Sequence, residues 1–431
     1  MIETKGRKQR GITLIALIIT IIVLLILVAV TVRTVLDPNG ILRNAMAAVK
    51  GTSEAQKSEI EIIEDYVEEI EGKQIKSAFY WNISSINLAK LETQVNKLNL
   101  NTIYVNLPSD LDSSMHLSNL IKFCEIYNID LFGLEGAPDW YLEENRYKVF
   151  EIIDQIDNYN KQNGRKIKGI NLDIEFYLSD NYKNAQNEEE KIAEFRKFVE
   201  ANKEFSEYAA QRGIKYTACL PVWLDRLDPT LLEELNKIRY DHFAYMNYVK
   251  DESVSNISKE VELAQRYYRK IVTIAELQSQ EQHESLKEEE TFYNDGIIAC
   301  NNKLQQILDK YNYNKLGTSY HEYNSLVELL EREYPEEANK YKLELYPYYQ
   351  GDSIEIKSAK LVDSNGQEFP YITNQYNTDR SQEYIIIFWG LQFGQQYTLV
   401  IDDGDYYYEG IIFNEKTDGY SEYDTIRLEK K

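Results

Sequence analysis

The sequence predicts an α/β protein in which a (β/α)8 barrel stands between an N-terminal transmembrane and stalk helix and a C-terminal all-β, immunoglobulin-like sandwich. An uncharged segment near the N-terminus, eight alternations of strand-like and helix-like segments, and a run of short strands at the end support this prediction in the 431-residue chain. The predicted ranges are a leader at 1–11, a transmembrane helix at 12–33, a stalk at 34–75, the barrel at 76–334 and the sandwich at 335–431.

Composition excludes several classes of protein. The formal net charge of -23 argues against nucleic-acid binding, because phosphate contacts need a basic surface. The three cysteines, Cys124, Cys219 and Cys300, have no CxxC spacing, and only four histidines accompany them. We therefore expect no disulfide framework, metal or cofactor, and we expect each cysteine to be a small buried hydrophobe.

The segment from Ile12 to Val32 carries no charge. As a helix it would span about 32 Å, enough to cross a hydrocarbon core of about 30 Å. Basic residues at Lys5, Arg7, Lys8 and Arg10 precede it, so the positive-inside rule keeps the N-terminus in the cytoplasm and places the remainder outside. Helical spacing then resumes from Ile41 to Ile70 and predicts a solvated stalk.

This N-terminus resembles a type IV prepilin leader, in which a short basic peptide ends in glycine before a hydrophobic helix. The resemblance implies cleavage by a prepilin peptidase after Gly11, with Ile12 as the mature N-terminus, and pilin-like subunits as partners. Ala16 stands where that family has an acidic residue that pairs with a neighbouring subunit during filament assembly. A plain signal anchor is the alternative, and both interpretations leave the bulk of the chain outside the cytoplasmic membrane.

The middle of the chain alternates between short apolar strands and amphipathic helices. Eight such strands within about 250 residues are typical of a (β/α)8 barrel. A doubly wound open sheet is the alternative, but no glycine-rich phosphate loop follows the first strand. The predicted strands are 77–82, 101–106, 129–136, 168–176, 214–223, 240–248, 270–278 and 315–323.

Active sites of this fold lie at the C-terminal ends of the strands, and several predicted ends carry polar or aromatic residues. Three of the four tryptophans would collect there, and an indole face is a good platform for a sugar ring. We therefore expect a cleft for a polysaccharide or cell-wall glycan. The candidate substrate-binding residues are Trp81, Glu135, Trp140, Asn171, Trp223, Tyr245, Asn247 and His321.

The fourth strand, KGINLDIEFY, has an apolar face and a polar face. Asp173 and Glu175 are two residues apart, so both side chains should point into the barrel, and their repulsion should raise one pKa. The alternative is a buried salt bridge to a basic residue of another strand. Tyr245 and Tyr248 are the expected hydrogen-bond partners.

This strand resembles the DGxDxDxE motif of glycoside hydrolase family 18, the chitinase-like family. Gly169, Asp173 and Glu175 match it, whereas Lys168 and Asn171 replace its first two aspartates. The resemblance implies that Glu175 donates a proton to the glycosidic oxygen and that Asp173 orients the acetamido group of the substrate.

The sixth strand contains Met246-Asn247-Tyr248, which is similar to the MxY element of the same family. The resemblance implies that Tyr248 supports an oxazolinium-like intermediate in substrate-assisted cleavage. Val249 stands where that family has an aspartate. As a second mechanism, Glu276 could face Glu175 as a nucleophile, which would require about 5 to 5.5 Å between the carboxyl groups.

The last 90 or so residues contain turn signals, Asn365-Gly366 and Asp403-Gly404, between alternating strands. Trp389 in this region could bind glycan, pack the core or dock the sandwich on the barrel. Three functions remain open: an anchored extracellular glycosidase acting on N-acetylated glycans, a non-catalytic pilin-like adhesin, or a pilus or secretion subunit whose barrel is only a decoration.

Overall fold

The computed structural model describes residues 74–377, 382–415 and 421–431. The predicted leader, with its processing site at Gly11 and Ile12, the predicted transmembrane helix and all but the last two residues of the predicted stalk lie outside these ranges. Among the helices that the structure does describe, none is long and apolar enough to cross a membrane.

Eight parallel strands close into a barrel in the order β1 to β8, which confirms the predicted barrel. The strands are β1 (Lys76–Tyr80), β2 (Thr102–Asn106), β3 (Asp130–Glu135), β4 (Gly169–Leu172), β5 (Lys215–Pro221), β6 (His242–Met246), β7 (Lys270–Glu276) and β8 (Leu316–His321). Each lies at a position that the sequence predicted for a strand.

Helices follow the strands and cover the barrel. They are α1 (Leu88–Leu98), α2 (Met115–Tyr127), α3 (Tyr147–Asn163), α4 (Asp180–Lys183), α5 (Glu188–Gln211), α6 (Leu224–Leu227), α7 (Pro229–Lys237), α8 (Ser253–Asn256), α9 (Ser258–Tyr267), α10 (Ile297–Tyr311) and α11 (Tyr323–Glu333). The helices begin and end with local signals: Asn87, for example, caps α1 by accepting a hydrogen bond from the Ala89 N–H at 2.9 Å.

Two hydrophobic layers divide the barrel residues between its inside and its outside. The interior cluster consists of Phe79, Tyr104, Phe132, Leu134, Cys219, Ala244, Val272 and Ile274. The outer layer packs between the strands and the helices, and it contains Ile170, Leu172, Ile174 and Phe176 from the fourth-strand region. Phe176 stacks on Phe198 of α5 with ring centroids 4.7 Å apart. The apolar face of KGINLDIEFY therefore meets the helices, as its alternation predicted.

All three cysteines are buried and free, as expected for small hydrophobes.

The chain continues into two antiparallel-rich sheets that share one hydrophobic core. One sheet runs β10-β9-β13-β12 with β16 parallel to β9, and the other runs β11-β14-β15-β17. The strands are β9 (Lys340–Tyr349), β10 (Asp352–Ser353), β11 (Ala359–Asp363), β12 (Tyr371–Asn377), β13 (Gln382–Gln392), β14 (Gln396–Asp403), β15 (Tyr406–Phe413), β16 (Ser421–Arg427) and β17 (Glu429–Lys430).

The sequence interpretation overlooked four strands of this region, β9, β12, β16 and β17. Among them, β9 pairs with β10, β13 and β16. Its sequence KYKLELYPYY carries a proline and charged residues that disguise the alternation. The predicted turns are present, since Gly366 and Gly404 take positive φ angles of 80° and 57°.

Trp389 docks this β region on the barrel. Trp389 is fully buried and belongs to the outer layer, between the barrel strands and the helices. Its ring centroid lies 5.5 Å from that of Phe123 of α2, and its indole N–H donates to the Tyr127 hydroxyl at 3.2 Å. The next residue, Gly390, lies so close to Glu92 of α1 that a Cβ there would meet the Glu92 carboxylate at 2.7 Å. Of the three roles open for Trp389, the structure selects docking.

Candidate active site

Asp173 lies one residue beyond β4, at the C-terminal end of the barrel. Its backbone N–H donates to the Glu135 carbonyl at 2.8 Å, which continues the ladder between β3 and β4. Gly136 packs directly against this backbone, and a Cβ at that position would lie 2.1 Å from the Asp173 carbonyl oxygen. The ends of β3 and β4 are thus held together by a contact that only glycine permits.

The Asp173 carboxyl group is partly buried and forms no salt bridge in the described part of the chain. Its Oδ1 atom is buried and has no hydrogen-bond partner. Burial, reinforced by the charge of Glu175 and opposed by His321, raises the pKa of Asp173 to about 7. No salt bridge to Asp173 or Glu175 exists in the described part of the chain, so the alternative of a buried ion pair does not hold there.

Glu175 points to the same side and is held by a phenol. The Tyr177 hydroxyl donates to Oε1 of Glu175, and the Tyr177 ring meets Trp223 edge to face with centroids 5.1 Å apart. Burial and the negative charge of Glu175 raise the pKa of Tyr177, so this phenol remains a donor. This hydrogen bond engages one of the two carboxyl oxygens of Glu175.

Glu276, at the end of β7, is 2% exposed and accepts three hydrogen bonds. Its Oε1 receives the backbone N–H groups of Leu277 and Gln278 at 2.9 and 2.8 Å, and its Oε2 lies 2.8 Å from Nδ1 of His321. A nucleophile needs an oxygen that reaches the substrate, and this carboxylate is committed to its own loop and to His321. Both carboxyl oxygens of Glu276 therefore already have partners, and its nucleophilic role stays a prediction.

His321 connects this carboxylate to an exposed tryptophan. Its Nε2 accepts a hydrogen bond from the Trp81 indole N–H at 2.9 Å, and Trp81 itself is 36% exposed. Burial lowers the pKa of His321, but the negative charges of Glu276, Asp173 and Glu322 outweigh it and raise the pKa to about 9. The charges around the ring favour protonation, whereas the Trp81 contact requires an unprotonated Nε2.

Tyr248 joins the same group from the segment after β6. Its ring lies 6.4 Å from the His321 ring, and it packs against the interior cluster. Burial and the charges of Glu276 and Asp173 raise the pKa of Tyr248. The structure therefore brings Asp173, Tyr248 and His321 together. Glu175 lies near enough to Asp173 for its charge to raise the pKa of Asp173.

Glu135 stands at the end of β3 in a separate setting. Asn106 of β2 donates to its Oε1 at 3.1 Å. Burial raises the pKa of Glu135 to about 7, opposed by a hydrogen bond from the backbone of Leu107. It is therefore a second carboxyl group that can carry a proton near neutral pH at this end of the barrel.

Three predicted binding residues do not reach the cleft. Tyr245 is fully buried in the outer layer, because it alternates with the inward residues Ala244 and Met246. Asn247 is 3% exposed and donates to the Ser253 carbonyl at 2.7 Å. Asn171 is fully buried below Asp173, where it donates to Thr217 at 3.3 Å and accepts from Cys219 at 3.1 Å. These predictions were wrong because proximity to a strand end was treated as exposure.

The remaining tryptophans follow the strands as expected. Trp223 is half-buried beside Tyr177, whereas Trp140 is half-buried and packs on the outer layer beyond β3. Two residues of the site escaped the sequence interpretation as functional candidates, Asn106 and Tyr177. Asn106 ends a predicted strand like the residues that were selected, and Tyr177 continues the polar face of KGINLDIEFY, so the same signals could have found both.

The arrangement can transfer protons and bind a neutral polar ligand. It offers carboxyl groups at Asp173, Glu175 and Glu135, a phenol at Tyr248 and half-exposed indoles at Trp81 and Trp223. Within the described ranges, no three His, Cys, Asp or Glu side chains are grouped to hold a metal ion.

Comparisons with known proteins give similarity at the level of structure alone, since the sequence matches no protein-family model and no curated protein. One similar structure is the glycoside hydrolase domain of PgaB from Bordetella bronchiseptica, at 9% identity and a TM-score of 0.41, covering 62% of this chain and 97% of that one. Another is a xylose isomerase domain protein from Planctomyces limnophilus, at 16% and 0.38, covering 60% and 95%.

A third is catalytic domain 2 of the Ostrinia furnacalis Group II chitinase, at 10% identity and a TM-score of 0.32. The match covers 48% of this chain and 64% of that chain, so the chain spans just under two thirds of the chitinase domain. Similarities this low do not separate hydrolases from isomerases, and we infer the function from the site itself.

Proposed function

We propose that the chain is a membrane-anchored, extracellular glycosidase that cleaves glycans bearing N-acetylated sugars. Glu175 is the general acid, and Asp173 assists by orienting the acetamido group. One observation carries the proposal: Asp173 and Glu175 lie together at the C-terminal end of the barrel without a salt bridge in the described part of the chain, and a buried Asp173 oxygen has no hydrogen-bond partner.

The proposed reaction uses the substrate as its own nucleophile. The acetamido oxygen attacks the anomeric carbon while the bond from that carbon to the glycosidic oxygen breaks, and the proton of Glu175 passes to the leaving oxygen. Asp173 accepts the acetamido N–H, and Tyr248 supports the oxazolinium ion. Water then opens this ion and returns a proton to Glu175.

Tryptophan placement supports a sugar substrate. Trp81 and Trp223 each offer part of an indole surface beside the carboxyl groups, and aromatic faces stack on the C–H face of sugar rings. A long glycan is the best fit, because such side chains follow several strands around the rim.

The first test is hydrolysis of a glycan panel by the full-length protein and by its Glu175→Gln variant. Loss of the proton donor should reduce turnover by about 10² to 10⁴-fold. Glu260→Gln is a matched control, because Glu260 is a buried glutamate on α9. Full activity in Glu175→Gln, or no hydrolysis of any glycan in the panel by the unaltered protein, would refute the proposal.

A non-catalytic glycan-binding adhesin is the second candidate, and two observations favour it. Tyr177 holds Glu175, and Asn171 stands buried where the chitinase-like motif has an acid. This candidate predicts that glycans bind without turnover and that Glu175→Gln leaves binding unchanged.

Anchoring is a proposal based on the N-terminal sequence. We propose that residues 12–33 cross the cytoplasmic membrane, that a prepilin peptidase removes the leader after Gly11, and that pilin-like subunits are potential partners. N-terminal sequencing of the mature surface protein should begin at Ile12. An intact junction between Gly11 and Ile12 would favour the plain signal anchor.

A further inference from the structure

Trp81, His321 and Glu276 form a chain of hydrogen bonds across the C-terminal end of the barrel. The indole N–H of Trp81 donates to Nε2 of His321 at 2.9 Å, and Nδ1 of His321 lies 2.8 Å from Oε2 of Glu276. An indole nitrogen is only a donor, so in this arrangement Nε2 is unprotonated and the ring proton is on Nδ1.

Protonation of His321 would break the chain at Trp81. The protonated ring carries an N–H at Nε2, which would face the indole N–H as a second donor. The hydrogen bond between His321 and Glu276 should persist, because the Glu276 side chain is 2% exposed and its other oxygen accepts two backbone N–H groups that hold it in place. Trp81 is 36% exposed, so it is the partner that moves.

The carboxylates around His321 favour its charged form. Glu276 contacts the ring from β7, Asp173 approaches from the end of β4, and Glu322 is the next residue in the chain. Tyr248 and Phe79 add uncharged rings at 6.4 and 5.9 Å. Two influences of opposite sign therefore act on one nitrogen atom that lies beside the proposed acetamido site.

We propose that Trp81 and a proton compete for Nε2 of His321, and that a glycan oxygen replaces Trp81 by accepting the hydrogen bond of the protonated ring. Glu276 acts in this exchange as a positioning residue, since it fixes Nδ1 and directs Nε2 to the cleft. The release of Trp81 frees its indole face for the sugar. The second half of this proposal rests on the proposed function, whereas the competition does not.

The competition can be measured in the unliganded protein by ¹⁵N NMR titration of the full-length chain labelled at its four histidines. Loss of the His321 signals in His321→Gln assigns them, and His242 is an internal reference at the other end of the barrel. Trp81→Phe keeps a ring but removes the donor to neutral His321, so it should raise the pKa of His321 by about 0.5 to 1. Glu276→Gln should lower this pKa by about 1 or more.

Two results would overturn the competition. One is an unchanged His321 titration in Trp81→Phe, which would mean that the indole does not oppose the proton. The other is a neutral His321 that carries its proton on Nε2 rather than on Nδ1. Neither readout depends on glycosidase activity, so both stand apart from the proposed function.

The ligand exchange is tested by repeating the titration with tetra-N-acetylchitotetraose. An oxygen that accepts from the protonated ring should raise the pKa of His321, and the same ligand should shift the Trp81 indole signal. Binding that leaves the His321 titration unchanged would overturn the exchange while leaving the proposed function intact. No binding of this probe would count against both.

Discussion

The two ends of the barrel contain the same three-part chain, a carboxylate, a histidine and an aromatic donor, in opposite electrostatic settings. At the N-terminal end, Nδ1 of His242 lies 2.6 Å from Asp241, and Nε2 lies 2.6 Å from the Tyr104 hydroxyl. At the C-terminal end, Glu276, His321 and Trp81 repeat the pattern. The chemistry of three side chains therefore does not by itself make a site.

The difference lies in what surrounds each chain. Lys215 and Lys270 each stand 3.8 Å from Asp241. Burial alone would raise the pKa of Asp241, but Lys215, the His242 hydrogen bond and Lys270 together hold it well below its usual range. At the C-terminal end, burial and the charge of Glu175 raise the pKa of Asp173 against the opposing charge of His321, and within the described ranges Asp173 forms no salt bridge. Charges therefore compensate one another at the N-terminal end, whereas a carboxyl oxygen without a hydrogen-bond partner lies at the C-terminal end.

The largest expected effect comes from removing the balancing charge. Asp241→Asn leaves two lysines and a buried histidine without their carboxylate and should cost about 3 to 5 kcal/mol of the free energy of unfolding at pH 7. Urea denaturation measures it, with Asp112→Asn, an exposed aspartate, as the control. An unfolding curve identical to that of the unaltered protein would show that the N-terminal end is not charge-balanced.

Asp173→Asn should change the free energy of unfolding in the opposite direction and stabilise the protein. Because the folded-state pKa of Asp173 is raised to about 7, its ionisation costs stability as the pH rises from about 4 to about 7. The asparagine variant should therefore be more stable than the unaltered protein by about 1 to 3 kcal/mol at pH 8 and equal to it near pH 4.

Paired urea titrations at the two pH values measure this difference. Asp241→Asn provides the contrast, because the depressed pKa of Asp241 stabilises the fold above about pH 4 and this contribution is lost in acid. If Asp173→Asn destabilised the protein at pH 8, the negative charge of Asp173 would have to be compensated by positive groups in the folded protein.

The smallest expected effect distinguishes two tyrosines inside the barrel, Tyr104 and Tyr248. Tyr104→Phe removes a fully buried hydroxyl and leaves Nε2 of His242 unpaired, so it should cost about 1 kcal/mol of stability. Tyr248→Phe should instead leave the unfolding midpoint unchanged and reduce glycan turnover by about tenfold. Equal losses of stability in both variants would remove the distinction between the two ends.

Period-2 alternation predicted the fold and part of the site. It placed Ile170 and Phe176 under the helices and Asp173 inside, because a strand side chain has only two directions. The same rule places Tyr245 and Tyr248 on opposite faces, since they are three positions apart along a strand. That error was avoidable from the sequence.

Other features could not be read from the chain. Trp81 and His321 are 240 residues apart, and their hydrogen bond depends on the closure that brings β1 beside β8. The burial of Asn171 and Glu276 could not be predicted either, because a polar residue at a strand end can face a cleft or form hydrogen bonds with its own loop. The docking of Trp389 likewise depends on surfaces that form only after both regions have folded.

Gly136 has a practical consequence for protein engineering. A single added carbon there would lie 2.1 Å from the Asp173 carbonyl, so even alanine must displace the backbone that carries both carboxyl groups. A combinatorial library aimed at new ligand preferences should therefore hold Gly136 constant. Gly136→Ala would then serve as a calibrated displacement of the site, against which the value of every other substitution can be judged.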